Sequence, residues 1–219
     1  MSGDRLTRRL LGAGLVGPPL FVAVFLVDGA TRPGYDPTYH PVSALSLGDR
    51  GWIQIGNFVL TGLLAIGFAV GVRRVLRTGP AARSAPLLIG AYGLALLLSG
   101  VFPMDPMRGY PPGVASAPAA PSWQHTVHDN IGAVVFTVLP VAALVLARRF
   151  ARRPGRRGWA GYSLATGVAG LALLVWFGVS WEADAPAAGL IQRIMIVVDW
   201  TWWALLAVRL RADAYRTGG

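Results

Sequence analysis

Long apolar stretches alternate with shorter polar connections along the whole chain. Six of these stretches approach or reach the roughly 20 residues that a helix needs to cross a membrane. We therefore expect an all-α fold, a six-transmembrane-helix bundle forming a single transmembrane domain over residues 1–219. The predicted spans are 9–28, 54–74, 86–103, 127–147, 159–180 and 190–210.

Composition supports a membrane protein and excludes several kinds of site. Apolar residues make up 54% of the chain and charged residues only 14%. The chain has no cysteine, which excludes disulfides, thiolate catalysis and cysteine-ligated zinc. Its net charge is +10, a value that in a soluble protein would invite a nucleic-acid hypothesis. Where the charge lies along the chain favours another explanation.

The arginines lie mainly on one predicted side of the membrane. They precede the first span, follow the sixth, and fill the connections between spans two and three and between spans four and five. The alternate connections carry only Arg32, Arg50 and Arg108, with Arg193 just inside the last span. The positive-inside rule then predicts a multi-pass protein of the cell membrane with both termini in the cytoplasm. The expected partner is membrane lipid, and no nucleic acid.

The histidines and most acidic residues fall on the opposite side. Two long connections there are rich in proline and glycine, which is typical of binding loops and lids. Within the first, "HPVSALSL" predicts a short helix opened by Pro41. We expect a polar mouth on this side. The acidic residues concerned are Asp28, Asp36, Asp49, Asp105, Asp129, Glu182 and Asp184.

Two histidines stand one turn apart at the start of the fourth span, in "SWQHTVHDNIGAVVF". His125 and His128 share a helix face and are competent to hold a metal ion, with a third ligand from His40, Asp105 or Asp129. The H-x-x-H spacing is far less specific than a full zinc signature. Interfacial histidines more often bond a carbonyl or a carboxylate, so we predict no metal site.

Asp105 lies at the outer end of the third span, just after Pro103. If it lies across from His128, its carboxylate would orient the imidazole and raise its basicity for general-base catalysis. A plain ion pair with Arg108 is the alternative. Ser43 supplies a hydroxyl near the same mouth, but no nucleophile-elbow pattern surrounds it, which disfavours a catalytic triad.

Asp199 is the most unusual acidic residue, since it lies about 13 Å deep in the sixth span. An ionised carboxylate at that depth costs several kcal/mol unless it is paired, protonated or hydrated, so it marks a candidate site. Trp203 follows one turn later, and the fifth span contributes Trp176. The alternative is a neutral acid bonded to a backbone carbonyl or to Asn57 and Thr61.

Two further sets of polar residues have structural and functional interpretations. Gln54, Asn57 and Thr61 share one face of the second span and are expected to point into the bundle, chiefly as interhelical hydrogen-bonding groups. Arg193 is placed to pair with Glu182 or Asp184 and close the last two spans into a hairpin. A clamp for a lipid phosphate is the alternative for Arg193.

The chain resembles a bacterial membrane family known as domain of unknown function 998. The resemblance rests on "YDPTYHPVSALSLGDRGWIQIGNFVLTGLL", "GVFPMDPMRGYPPG", "HDNIGAVVF" and "GLIQRIMIVVDWTWWALLAVRL". It implies an integral membrane protein of about six helices and assigns no activity. The family pattern falls on Ser43, Gly51, Trp52, Asn57, Gly62, Asp105, Gly109 and His128.

Two functional hypotheses follow. The first is a membrane-embedded enzyme acting on a lipid or isoprenoid, either by hydrolysis at Asp105 and His128 or by cyclisation started by Asp199. The second is a non-enzymatic lipid-binding, transport or accessory protein. The predicted substrate contacts are Ser43, Asn57, Trp176, Trp203 and Arg193. The sequence specifies neither a cofactor nor an oligomeric state.

Overall fold

The computed structural model describes residues 2–107, 109–114 and 118–216. Its helices are α1 (Ser2–Ala30), α2 (Gly51–Val75), α3 (Ser84–Val101), α4 (Trp123–Ala151), α5 (Arg157–Glu182) and α6 (Ala188–Arg216). All six are long and apolar enough to cross a membrane, and the described residues form no strand. The predicted all-helical, six-span architecture is therefore confirmed.

The prolines near the helix ends explain two local features. α3 ends at Val101, two residues earlier than predicted, because Phe102 precedes Pro103 and adopts an extended conformation. The short helix predicted after Pro41 is present as a 3-10 helix over Val42–Ser46. Its start suits Pro41, whose fixed φ and missing N–H cost nothing at a helix entrance.

The six helices form a closed ring. Each packs mainly against its neighbours in the chain, and α6 closes the ring against α1. At one end, which we call the arginine end, Arg149 of α4 donates hydrogen bonds to the carbonyls of Thr78 and Pro80. At the other, the histidine end, His128 of α4 contacts the carbonyl of Phe102. Connection 31–50 and the described residues of the connection between α3 and α4 (102–107, 109–114 and 118–122) lie at the histidine end.

Glycine allows the closest contact between α2 and α3. A Cβ atom added at Gly62 would lie 2.7 Å from the Gly93 carbonyl oxygen, and one added at Gly93 would lie 2.7 Å from the Gly62 oxygen. No real side chain tolerates such a distance to backbone, so both positions need glycine. Small residues at helix crossings of this kind are typical of packing in membranes.

The polar stripe of α2 faces the interior, as predicted. Gln54, Asn57 and Thr61 are each at most 5% exposed. The Asn57 amide donates to the Phe21 carbonyl of α1 and to the Gln54 side chain. The bond to Phe21 joins α2 to α1, whereas the bond to Gln54 lies within α2. Asn57 therefore has the interhelical role expected for the stripe.

Candidate functional site

A cavity of about 360 Å³ lies inside the ring at the histidine end, and we call it the central cavity. All six helices and the 3-10 helix contribute to its wall. Its size and mixed lining resemble those of small-molecule sites, in which a few polar groups stand among apolar ones. The aromatic lining residues are Phe21, Phe58, Phe136, Phe177, Trp181 and Trp200, and the polar ones are Ser43, Ser99, His128, Asp129, Glu182 and Gln192.

His128 lines this cavity with one ring nitrogen already engaged. Its Nδ1 lies 2.7 Å from the carbonyl oxygen of Phe102, at the end of α3. A carbonyl only accepts hydrogen bonds, so Nδ1 carries the proton. In the neutral ring, Nε2 then holds a lone pair and is the nitrogen available to a group in the cavity. The sequence predicted an important His128 but not this partner.

The wall beside His128 contains unfilled space. Gly132 follows His128 by one helical turn, and Gly178 faces it from α5; both line the central cavity. A Cβ atom added at either glycine would meet nothing within 4 Å. These two glycines therefore widen the cavity without being needed for close packing between helices.

Asp105 does not form the predicted pair with His128. Both of its carboxylate oxygens accept hydrogen bonds from Ser122, one from the backbone N–H and one from the hydroxyl, each at 2.7 Å. Partial burial opposes ionisation of Asp105, but the Ser122 bonds outweigh it and lower the pKa of the carboxyl. Ser122 also caps α4 through the His125 N–H. The alternative partner, Arg108, lies outside the described residues.

His125 is held in a second cavity of about 320 Å³, next to the central one. Its Nδ1 accepts a hydrogen bond from the Asp105 backbone N–H, and its Nε2 lies 3.4 Å from an Asp129 oxygen. The two nitrogens of His125 thus contact Asp105 and Asp129, and neither contacts His128. Among the described residues, no group of three His, Cys, Asp or Glu side chains is placed to hold a metal ion.

Ser43 lines the central cavity and donates its hydroxyl to the sulfur of Met104, at 3.3 Å. It bonds neither histidine, so the arrangement gives no support to a catalytic triad. The hydroxyl, at the mouth of the cavity, suits a contact to a polar head group.

Asp199 is buried between helices, away from the central cavity. It is 3% exposed, and a Cβ atom added at Gly170 of α5 would lie 2.5 Å from its Oδ1. That oxygen has no hydrogen-bond partner among the described residues. The expected bond to Asn57 or Thr61 is absent: the Asn57 amide is used by α1, and the Thr61 hydroxyl has no partner in the part of the chain described.

The other predicted contacts also lie outside the cavity lining. Trp176 is mostly exposed on α5, while Trp203 is fully buried against Phe68 and Tyr92. Asn57 faces α1. The binding roles of these residues stay predictions. The tryptophans that do reach the cavity are Trp181 and Trp200.

Arg193 does not close the α5–α6 hairpin as predicted. Its guanidinium donates to the carbonyls of His40 and Gly189, both at 2.9 Å, and to the Tyr35 hydroxyl. Asp184 instead accepts a hydrogen bond from Tyr39. Arg193 joins α6 to connection 31–50, and Asp184 joins the turn between α5 and α6 to it. Connection 31–50 therefore folds back over these helix ends. Arg193 therefore holds the loop above the cavity.

Burial sets the protonation of two side chains within this loop, Tyr35 and His40. Burial raises the pKa of Tyr35 to about 12, although Arg193 opposes the rise. Burial also lowers the pKa of His40, against the effect of Asp36. Neutral His40 accepts a hydrogen bond from the Asp36 backbone N–H at Nδ1. At neutral pH the Tyr35 and His40 rings are therefore both uncharged beside Arg193, which binds the Tyr35 hydroxyl and the His40 carbonyl.

A buried ion pair fixes the other side of the same loop. The Arg32 side chain is 5% exposed and bonds Asp28 of α1 at 2.9 Å. It also donates to the carbonyl of Leu45, within the 3-10 helix, and to that of Leu47, directly after it. Arg50 reaches the second Asp28 oxygen from a more exposed position. The sequence had counted Arg32 only as a loop charge.

Sequence reasoning missed most of the aromatic lining of the cavity. One signal was present: Phe177 and Trp181 are four residues apart, which places them on one face of α5. The contact of Gln192 with the 3-10 helix was not predicted either. In the structure its side-chain oxygen accepts a hydrogen bond from the Val42 N–H, which fixes the 3-10 helix to α6.

Comparison with known proteins agrees with this architecture. The sequence profile of the family described as "Protein of unknown function (DUF998)" matches residues 15–209. No curated protein and no solved structure matches the chain. The matched region includes the whole central cavity and every candidate site residue. The chain therefore belongs to the DUF998 family, and its six long apolar helices fit an integral membrane protein.

Proposed function

We propose that the protein binds an amphipathic molecule of the lipid or isoprenoid class in the central cavity, and that His128 acts on its head group as a general base. The observation that carries this proposal is the Nδ1 contact of His128 with the Phe102 carbonyl. That contact orients the ring and leaves Nε2 basic at the cavity wall.

The lining of the cavity supports a ligand with two chemically different parts. Its polar groups, such as Ser43, His128 and Gln192, lie near the loops or at the helix ends. Phe21, Phe58 and other aromatic rings line it further along the helices. A polar head beside His128 with an apolar tail against the rings satisfies both regions, because each group then meets its own kind.

A binding protein without catalysis is the second candidate, and one observation favours it. The Nδ1 partner of His128 is a neutral carbonyl, and the carboxylate of Asp105 is engaged by Ser122. A positive imidazolium formed during proton transfer would therefore lack the carboxylate that stabilises it in a catalytic triad. The two candidates share the cavity and differ in what happens at Nε2.

His128→Asn separates binding from turnover. The asparagine amide can still donate to Phe102, but it supplies no basic nitrogen. Wild-type protein in detergent is incubated with a polar lipid extract of the expression host supplemented with farnesol and geranylgeraniol, and both bound and altered species are identified by mass spectrometry. We expect His128→Asn to bind the same species as wild type and to convert it about 100-fold more slowly.

His125→Asn is the matched control, one turn away on α4, and is expected to convert the species at a rate close to that of wild type. If wild type binds a lipid but alters none, the binding protein is the better description. If wild type retains and alters nothing, the proposal is wrong in both forms.

We also infer that the arginine end lies in the cytoplasm, in a cell membrane, with both termini on that side. The support is the clustering of arginines at that end, which the positive-inside rule associates with the cytoplasm. A green fluorescent protein fused to the C-terminus is expected to fluoresce, and alkaline phosphatase at the same position to stay inactive. The reverse pattern would contradict this orientation.

A further inference from the structure

The arginine end contains a cavity of its own, about 570 Å³ in volume, which we call the arginine cavity. Five arginines and one carboxylate line it, together with an apolar floor that includes Leu76, Phe150 and Leu210. Arg74 and Arg149 lie in the last turns of α2 and α4. Arg77, Arg153 and Arg156 lie in the connections that follow these two helices.

Arginines that only set the orientation of a membrane protein project into water. Arg149 and Arg156 of this cavity do not. Arg149 is only 4% exposed, and its guanidinium donates hydrogen bonds to the neutral carbonyls of Thr78 and Pro80. Arg156 pairs with Asp213 through Nη2, whereas its Nη1 is buried and has no hydrogen-bond partner among the described residues. A buried guanidinium N–H without an acceptor is costly, so a shift of the Arg156 side chain that brings this N–H to an acceptor in the cavity would be stabilising.

The charge of the lining selects the kind of acceptor. Among the described residues of the lining, five arginines accompany one carboxylate, and that carboxylate, Asp213, is also 3.5 Å from Arg209. An additional anion would therefore meet an excess of positive charge. Guanidinium groups bind phosphate oxygens bidentately, and one phosphate offers acceptor oxygens to several arginines at once.

We propose that the arginine cavity is a binding site for a phosphate-bearing anion, either the head group of an anionic lipid or a soluble phosphate compound. Arg156 supplies the unpartnered donor, and Arg153, exposed at the rim, adds a second. The site is at the opposite end of the bundle from His128 and does not depend on the function proposed for the central cavity.

The test uses the full-length protein in detergent and two probes. Phosphatidic acid represents a lipid head group, with zwitterionic phosphatidylcholine as the lipid control, and inorganic pyrophosphate represents a soluble anion. Binding is measured by native mass spectrometry. Arg156→Gln and Arg153→Gln are each expected to weaken binding of the anionic probe about 10-fold or more.

Arg157→Gln is the matched control, because it removes the same charge from the neighbouring residue, which is exposed and does not line the cavity. We expect it to change binding by less than about twofold. Loss of the Asp213 pair in Arg156→Gln can impair folding. Arg153→Gln, which breaks no side-chain hydrogen bond or ion pair to a described residue, therefore provides an independent measurement.

Each outcome decides the proposal. Selective loss in the two cavity variants supports it, with pyrophosphate displacing the lipid if the natural ligand is soluble and failing to do so if it is a lipid. Equal loss in all three variants would overturn it, since general charge attraction would then explain the binding. Failure of wild type to bind either probe would also overturn it.

Discussion

Replacing Gly132 with phenylalanine is expected to lower retention of a lipid in the central cavity at least about 10-fold, a loss of about 1.4 kcal/mol of binding free energy. Gly132 lines the cavity one turn from His128, and a Cβ atom there meets nothing within 4 Å. A phenyl ring would occupy the space that a ligand needs. Stability should not fall, since glycine is a poor residue for a helix interior.

Gly56→Phe is the control for this variant. Gly56 of α2 is exposed, meets nothing within 4 Å when a Cβ atom is added, and does not line the cavity. Lipids are extracted from equal amounts of each purified protein and quantified by mass spectrometry, and the unfolding temperature is recorded in the same detergent. Equal lipid retention by both variants would contradict a ligand-binding role for the cavity.

The helices of this protein are predictable because one property decides them. A stretch of about 20 apolar residues has few stable alternatives to a spanning helix. Local chemistry also predicted a short helix after Pro41, which is present as a 3-10 helix, and the effect of Pro103 on Phe102 explains why α3 ends at Val101. These features depend on neighbours in the chain, which the sequence displays directly.

The site was harder to predict because its contacts join residues distant in sequence. The prediction brought Asp105 and His128 to the same mouth, and both do lie at the histidine end. It did not foresee that Ser122 would take both carboxylate oxygens of Asp105. Ser122 is a typical helix N-cap residue, so its role toward α4 was visible, but the path that returns Asp105 to it was not.

The sequence showed that Asp199 is unusual in an apolar segment, but it did not show which residues surround the carboxylate. The depth of Asp199 was readable by counting, whereas its contact with Gly170 depends on how α5 packs against α6. Arg32 shows the opposite error. It looked like an ordinary loop arginine, and burial of the loop made it one of the most enclosed charges in the protein.

Arg32→Met is expected to lower the free energy of unfolding by about 3–5 kcal/mol, the usual cost of removing one partner from a buried ion pair. Methionine keeps most of the side-chain volume but leaves Asp28, 3% exposed, with Arg50 as its one cationic partner among the described residues. It also removes the donors to the Leu45 and Leu47 carbonyls and to the Tyr110 hydroxyl, so connection 31–50 loses one of its two ion pairs with α1.

Arg50→Met tests the same carboxylate from its exposed side. The Arg50 side chain is 43% exposed, so its loss should cost no more than about 1 kcal/mol. Both variants are compared by unfolding in mixed detergent micelles, alone and combined with Asp28→Asn. If the stranded charge of Asp28 causes the instability, Asp28→Asn should relieve part of the Arg32→Met effect and little of the Arg50→Met effect. Strictly additive losses would mean that the bonds to Leu45, Leu47 and Tyr110, and not the charge of Asp28, account for the role of Arg32.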